Sequence, residues 1–478
     1  MTRTGRLLFP ALRWQEGSGF DHERSTIDDA LAIGAGGFIV FGGRARAVAE
    51  LTAELRERSR VPLLIASDVE RGAGQQFTEA TALPPLAALG SLVDAAVTRR
   101  AGALTARESL ALGVNWLYAP VADVDLEPRN PIVGSRSFGT DAAHVAAQVG
   151  AWIEGAHEEG ALCCAKHFPG HGRTVDDSHA ALPRVSASRA ELELDLLPFR
   201  AAIAAAVDAM MTAHVVYDAL DGSTAATLSH AILTVLLREQ LDFQGLVVSD
   251  ALIMEGMLRA GGGSETAAAI AALGAGCDAL LYPSDVRMVA AALEQAAGRE
   301  VDSRRIAEAI GRIDAACARA HSHTDVAWGT ATDRAWADDV AVRCCTVARG
   351  APRGAAELDL ITIDDDVGGP YPPPARDTFA RTLRDAGVTV HDATHPSAAR
   401  AACLAVYSDI RAWKGSPGLS ARATGAVRAA LGHDHDATIV FFGHRRLCDD
   451  VPGRHLLVAW GGEAVMQRAA ARWLVRAS

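Results

Sequence analysis

ALCCAKHF, residues 161–168, is a run apolar on both faces whose last positions carry a lysine and a histidine. So short and continuous a run suits a parallel strand buried between helices, where both faces of the sheet are covered. Seven others share its character. Upstream lie LLFPAL (7–12), FIVFGG (38–43), LLIASD (63–68) and VNWLYAPVAD (114–123). Downstream lie AMMTAHVVY (209–217), LVVSDAL (246–252) and ALLYPSD (279–285). Helical stretches such as DDALAIGAGG (28–37), DAAHVAAQVGAWIEGAHEEG (141–160) and RAELELDLLPFRAAIAAAV (189–207) separate them. Strand and helix alternating about eight times predict an α/β fold, a (β/α)8 TIM-type barrel. A doubly wound open sheet is the competing layout, because counting alternations does not prove closure.

The polar ends of the runs favour the barrel. Asp68, Asp123, Lys166, His167, His214 and Asp250 all fall at or just beyond C-terminal strand ends. In a barrel those ends converge on one face, where active sites are built. One such residue alone would be a structural hydrogen-bonder or a helix cap. Six on one side of the same fold predict a pocket there.

Three segments carry the chemistry. AKHFPGHGRTVDDSHAALP (165–183) runs off the fifth strand into a loop that offers His171, Asp176, Asp177 and His179. Lys166 and His167 are donors suited to sugar hydroxyls. A carboxylate two residues from a histidine can orient the ring and raise its basicity, so Asp177 and His179 form a candidate pair. A metal cluster is the weaker reading, because no helical i, i+4 ligand pair occurs there. In FQGLVVSDALIMEGM (243–257) a buried strand delivers the Asp250 carboxylate to the barrel mouth, where it can attack an anomeric carbon. In LLIASDVERGAGQQF (63–77) Asp68 and Glu70 leave the third strand, and an acceptor-only carboxylate is a natural ligand for paired sugar hydroxyls. RNPIVGSRSFG (129–139) adds Arg136 from the loop after the fourth strand.

These residues resemble family 3 of the glycoside hydrolases, and within it the bacterial β-N-acetylglucosaminidases. KHFPGHG, the following D-S-H triplet, the run AHVVYDALDGSTAATLSHAILTVLLRE (213–239) and the strand ending V-S-D carry the likeness, over roughly residues 1 to 330. The resemblance implies Asp250 as nucleophile and His179 with Asp177 as a loop-borne acid/base dyad. It implies that Asp68, Arg136, Lys166 and His167 hold the terminal sugar, with no metal and no other cofactor. The implied reaction is retaining, exo-acting hydrolysis of terminal β-linked N-acetylglucosamine, on fragments derived from cell wall. Gln76 stands where a sugar-contacting arginine is common in the family, and Ala251 follows the nucleophile where a second aspartate is usual. Alternatives kept open are a β-N-acetylglucosaminide phosphorylase on the same fold, a β-glucosidase, and a sugar-binding protein without turnover.

Composition sets bounds on partners. A formal net charge of −12 disfavours nucleic acid, which needs a surplus of Lys and Arg, and disfavours an anionic membrane surface. No apolar stretch reaches the roughly 20 residues of a membrane span, and the proline within LLFPAL argues against a signal peptide. The eight cysteines form no CxxC pair and read as buried thiols of a reducing compartment, so a cytoplasmic location is expected. The expected organisation is a catalytic barrel over 1–330, a helix and linker over 331–357, and a small α/β domain over 358–478. That last part resembles a shortened family 3 C-terminal domain, carries no catalytic constellation, and is expected to serve structure or homodimerisation.

Overall fold

A computed structural model describes residues 2–175, 182–321, 326–366, 373–397, 399–410, 414, 417–432 and 436–477. Eight short strands build the first layer. They are β1 (Leu8–Phe9 with Ala11–Arg13, interrupted by Pro10), β2 (Gly37–Phe41), β3 (Leu64–Ser67), β4 (Trp116–Leu117), β5 (Leu162–Phe168), β6 (Ala209–Thr212), β7 (Leu246–Val248) and β8 (Leu280–Leu281). β1 to β7 pair in sequence order as one parallel sheet. Closure comes from both edges: Leu8 and Phe9 pair with Leu280 and Leu281, and Val248 bridges to Ala279. The sheet is therefore a barrel, and the open-sheet alternative is excluded.

Register shows which side chains fill its interior. Ala11, Ile39, Ala66, Trp116 and Leu162 are successive partners across β1 to β5. Side chains directly abreast in a parallel ladder share a face. The Trp116 ring meets Phe9 of β1 edge-on at 5.5 Å, although β1 and β4 are three strands apart, so this row faces the barrel axis. Outside, helices such as Ala142–Glu158 and Arg189–Ala204 pack on the sheet, each begun by a side-chain cap. Asp141 accepts the His144 N–H, and Ser188 with Glu191 forms a capping box, contacts of about 1 kcal/mol each.

Two expected strands are shorter than the apolar text. VNWLYAPVAD yields only Trp116–Leu117, because Pro120 lacks the N–H a ladder needs; an isolated bridge from Val121 to Lys166 resumes the pairing beyond it. AMMTAHVVY breaks after Thr212, and Val216–Tyr217 joins a small side sheet with Arg184–Val185 and Gly222–Ala225.

By contact density the chain divides into two compact units that are not contiguous in sequence. The first comprises 1–81, 95–124 and 140–330, and the second 82–94, 125–139 and 331–478. The second unit holds a six-stranded sheet: β9 (Thr346–Arg349), β10 (Glu357–Asp364), β11 (Thr389–Asp392), β12 (Ala401–Tyr407), β13 (Thr438–Phe442) and β14 (His455–Val458). The order is β9-β14-β13-β12-β10-β11, parallel except for β9. β9 falls where the sequence suggested helix and linker; its four residues are fixed by antiparallel pairing with β14, which local pattern does not reveal. All eight cysteines are buried and unbridged. Among the described residues no helix is long and apolar enough to cross a membrane.

Candidate active site

Alternation along each strand decides what reaches the barrel mouth. Two residues beyond Ala66 of the interior row comes Asp68, two beyond Cys164 comes Lys166, and two beyond Val248 comes Asp250. Lys166 is nearly fully buried, and its Nζ donates to Asp68 Oδ1 at 2.5 Å and lies 2.7 Å from Glu70 Oε1. Glu70 is buried as well, whereas the Asp68 side chain keeps 28% of its surface exposed. One cation between two carboxylates leaves the trio with a net negative charge, and Asp68 is the carboxylate open to a ligand. Glu70 supplies the deep counter-charge. Breaking a buried ion pair leaves an uncompensated charge, but Asp68 stays to share Lys166. Glu70→Gln is therefore expected to lower stability by about 1–3 kcal/mol, read from the urea midpoint at unchanged m-value. An unmoved midpoint would show that Glu70 contributes nothing to holding Lys166.

His167 is positioned from behind. Its Nδ1 lies 2.7 Å from Oδ2 of Asp123, which is fully buried, and Asp123 Oδ1 accepts the backbone N–H of His171 at 2.7 Å. Burial raises the Asp123 carboxyl, but the neighbouring His167 and the His171 contacts outweigh it and hold it below its usual range. His171 is itself buried against Thr174, with Nδ1 to Oγ1 at 2.8 Å, and burial followed by His167 pushes its ring down to about 4. It is thus a neutral structural imidazole at neutral pH.

The stem of the loop beyond it is tightly specified. Tyr217 Oη donates to the Gly170 carbonyl at 2.7 Å, and Arg173 Nε donates to buried Asp195 at 2.8 Å. At Gly172 a Cβ would stand 1.6 Å from the Val124 carbonyl oxygen, so only glycine fits at that point of KHFPGHG. Asp177 and His179 lie outside the described residues, which stop at Val175 and resume at Leu182.

Asp250 follows β7, half-buried, with Oδ1 accepting the Ala251 N–H at 2.7 Å. His214 steadies this turn: its Nε2 is 3.1 Å from the Ala251 carbonyl and its Nδ1 is 2.7 Å from Thr227 Oγ1. A carbonyl only accepts, so Nε2 carries a proton. Asp68 and Asp250 share one environment. Burial first, then the charges of Cys164, Asp68 and Asp250, hold the Tyr118 phenol well above its usual range.

Two features escaped the sequence reading. Asp123 as the shared partner of His167 and the loop stem has no local signal, since 44 residues separate it from His167. Gln76, which stands where a sugar-contacting arginine is common in the family, bonds backbone: its Oε1 accepts the Gly42 N–H and its Nε2 donates to the Asp68 carbonyl, both at 3.1 Å. It ties the end of β2 to the residue that follows β3. Arg136 sits half-buried on the turn Gly134–Arg136, within the second unit. At the opposite, N-terminal end of the strands His157, Cys163 and Asp208 bring three ligand-type atoms within 4.8 Å of one another. The Asp208 carboxylate there is engaged by His157, the Cys163 N–H and Arg319, which makes it a structural anchor.

The profile of the glycosyl hydrolase family 3 N-terminal domain matches residues 33–319, which span β2 to β8 and include Asp68, Lys166, His167 and Asp250. The chain belongs to glycosyl hydrolase family 3. As a family 3 member it is a glycosidase acting on carbohydrate. It is similar to a β-hexosaminidase of Tolumonas auensis, 41% identical over 254 residues, 52% of this chain and 75% of the relative. A β-hexosaminidase of Xylella fastidiosa is 39% identical over 297 residues, 60% of this chain and 85% of the relative. Among solved structures, a family 3 β-N-acetylglucosaminidase from Paenibacillus sp. str. FPU-7 superposes with a TM-score of 0.86 at 28% identity, covering 99% of this chain and 96% of that one.

Proposed function

We propose that this family 3 enzyme is a retaining, exo-acting β-N-acetylglucosaminidase whose chemistry resides in residues 1–330. The observation that carries the reading is the KHFPGHG strand end, with Lys166 clamped between Asp68 and Glu70, opening onto the same mouth as Asp250. The names of the Tolumonas, Xylella and Paenibacillus relatives support the sugar assignment. Asp250 attacks the anomeric carbon while protonated His179, oriented by Asp177, protonates the leaving oxygen. Neutral His179 then activates water, and two inversions give net retention. A histidine with an unperturbed pKa of about 6.5 serves both steps near neutral pH. Asp68, Arg136, Lys166 and His167 hold the terminal sugar, on fragments derived from cell wall, in the cytoplasm. The second unit stabilises the enzyme or pairs two copies of it.

Sugar choice tests the proposal. N-acetylglucosaminides and glucosides differ by the 2-acetamido group, and a site matched to that amide is left with unpaired polar groups when it is missing. The expected kcat/KM ratio of the para-nitrophenyl N-acetylglucosaminide over the glucoside is about tenfold or more. Equal or better turnover of the glucoside would overturn the assignment. Release of N-acetylglucosamine 1-phosphate in phosphate buffer would make the enzyme a phosphorylase instead.

A further inference from the structure

Arg13 closes β1 on the axis-facing side of the barrel. Its register partner is Phe41, the last residue of β2, and both stand two residues above the interior row through Ala11, Ile39 and Ala66. The same step on β3 reaches Asp68. Arg13, Phe41 and Asp68 therefore occupy one interior-facing row at the mouth, with Arg13 two strand spacings, about 10 Å, from Asp68.

The guanidinium is held without being neutralised. Its Cζ lies 5.7 Å from the Phe41 ring centroid and 5.3 Å from that of Tyr282, and the two rings are 5.5 Å apart. Contacts of this kind position a cation and leave its N–H donors able to serve an anion. Among the described residues no carboxylate stands within ion-pair distance of the Arg13 side chain; Glu23 accepts its backbone N–H instead. Arg13 is exposed, in a protein whose formal net charge is −12. A merely solvated arginine has no need of two rings directed at it from the ends of β2 and β8.

Position separates this cation from the groups that hold the terminal sugar. Tyr282 follows β8, and the Leu281 carbonyl before it accepts the Leu252 N–H of the turn that carries Asp250. The patch thus flanks the nucleophile on the β8–β1–β2 side, while Lys166 and His167 stand on β5. An exo-acting site encloses the terminal sugar and leaves the departing group toward solvent, which is where Arg13 is exposed.

We infer that Arg13, stacked on Phe41 and Tyr282, is a specificity-determining residue that binds a carboxylate on the aglycone. This rests on the proposed β-N-acetylglucosaminidase activity and narrows its substrate class to N-acetylglucosaminides of acidic aglycones.

The test compares para-nitrophenyl β-N-acetylglucosaminide with the same glycoside bearing a carboxylate on the nitrophenyl ring. Each is assayed with wild type, Arg13→Met and Arg13→Lys. Methionine keeps an unbranched stem against the two rings, and lysine keeps the charge without the planar fork. Differences in leaving-group reactivity cancel when each variant is divided by wild type on the same substrate. Arg13→Met is expected to raise KM for the carboxylated glycoside about tenfold, with kcat nearly unchanged, because the contact is present in ground and transition states alike. The neutral glycoside should be unaffected, Arg13→Lys should recover part of the loss, and added salt should weaken the wild-type preference. Equal losses on both glycosides, or none on the carboxylated one, overturn the inference while leaving the proposed activity standing. Failure of wild type to cleave either N-acetylglucosaminide overturns the activity and the inference together.

Discussion

Asp250→Asn is expected to yield a folded protein whose turnover falls by about a thousandfold or more, the scale on which loss of a nucleophile registers. The fold should survive because the amide is nearly isosteric and its oxygen still accepts the Ala251 N–H that Asp250 Oδ1 takes at 2.7 Å. His214 would continue to grip the Ala251 carbonyl, so the turn after β7 keeps its anchor. The negative charge is lost. An amide oxygen is a poor nucleophile toward an oxocarbenium-like centre, and no covalent glycosyl-enzyme would form at a useful rate. Turnover of para-nitrophenyl β-N-acetylglucosaminide, with far-UV circular dichroism and a thermal midpoint to certify folding, checks the result. A folded variant with near-normal turnover would remove Asp250 from the role. So would a mechanism-based fluorosugar that labelled a different carboxylate of the wild-type enzyme.

How much of this was legible in the sequence differs between the barrel and its site. The eight strands announce themselves because a parallel strand covered on both faces must be apolar throughout, as Leu162–Phe168 and Gly37–Phe41 are. Closure was not legible. It depends on Leu8 finding Leu280 and Val248 bridging Ala279, and only the first pair joins opposite ends of the barrel text. Strand ends were misjudged where backbone chemistry overrides hydrophobicity, at Pro120 and again beyond Thr212, where the chain leaves the barrel for the side sheet.

Within the site, the polar residues at the barrel mouth could be read, and the residues behind them could not. Asp68, Lys166 and Asp250 are polar intrusions at the ends of apolar runs, and that contrast is local. Asp123 lies at the end of such a run too, but its work, joining His167 to the His171 backbone, is visible only when β4 and β5 are side by side. Gln76 was legible only as a departure from the family pattern. The sequence marks it only as the place where the family's common arginine is replaced, while its amide has the two-sided chemistry, one acceptor and one donor, that a clip between Gly42 and the Asp68 carbonyl needs. Arg13 carries no motif at all, and the alternation of β1 alone brings it to the mouth.

His179→Ala is expected to separate two substrates that Asp250→Asn damages equally. In the proposed first step a poor leaving group needs its oxygen protonated as the glycosidic bond breaks, so the variant should lose several orders of magnitude on natural disaccharides. A nitrophenolate departs without that help, and formation of the glycosyl-enzyme from it should be slowed much less. The second step is then the bottleneck, because no base activates water. Pre-steady-state measurement should therefore show a burst of nitrophenolate close to one equivalent per enzyme, followed by slow turnover. Azide, a small anion that needs no deprotonation, should enter the space vacated by the ring, restore part of the steady-state rate and release a β-glycosyl azide. Asp177→Ala should give a milder version of the same pattern, since the ring remains and loses only its orienting partner. The loop stem gives this test its force. His171, Arg173 and Gly172 are fixed through Thr174, Asp195 and the Val124 carbonyl, so a change at His179 should leave Lys166 and His167 in place. Absence of a burst, absence of azide rescue and equal damage to both leaving groups would together exclude His179 as the acid/base and direct the search to another proton carrier at the barrel mouth.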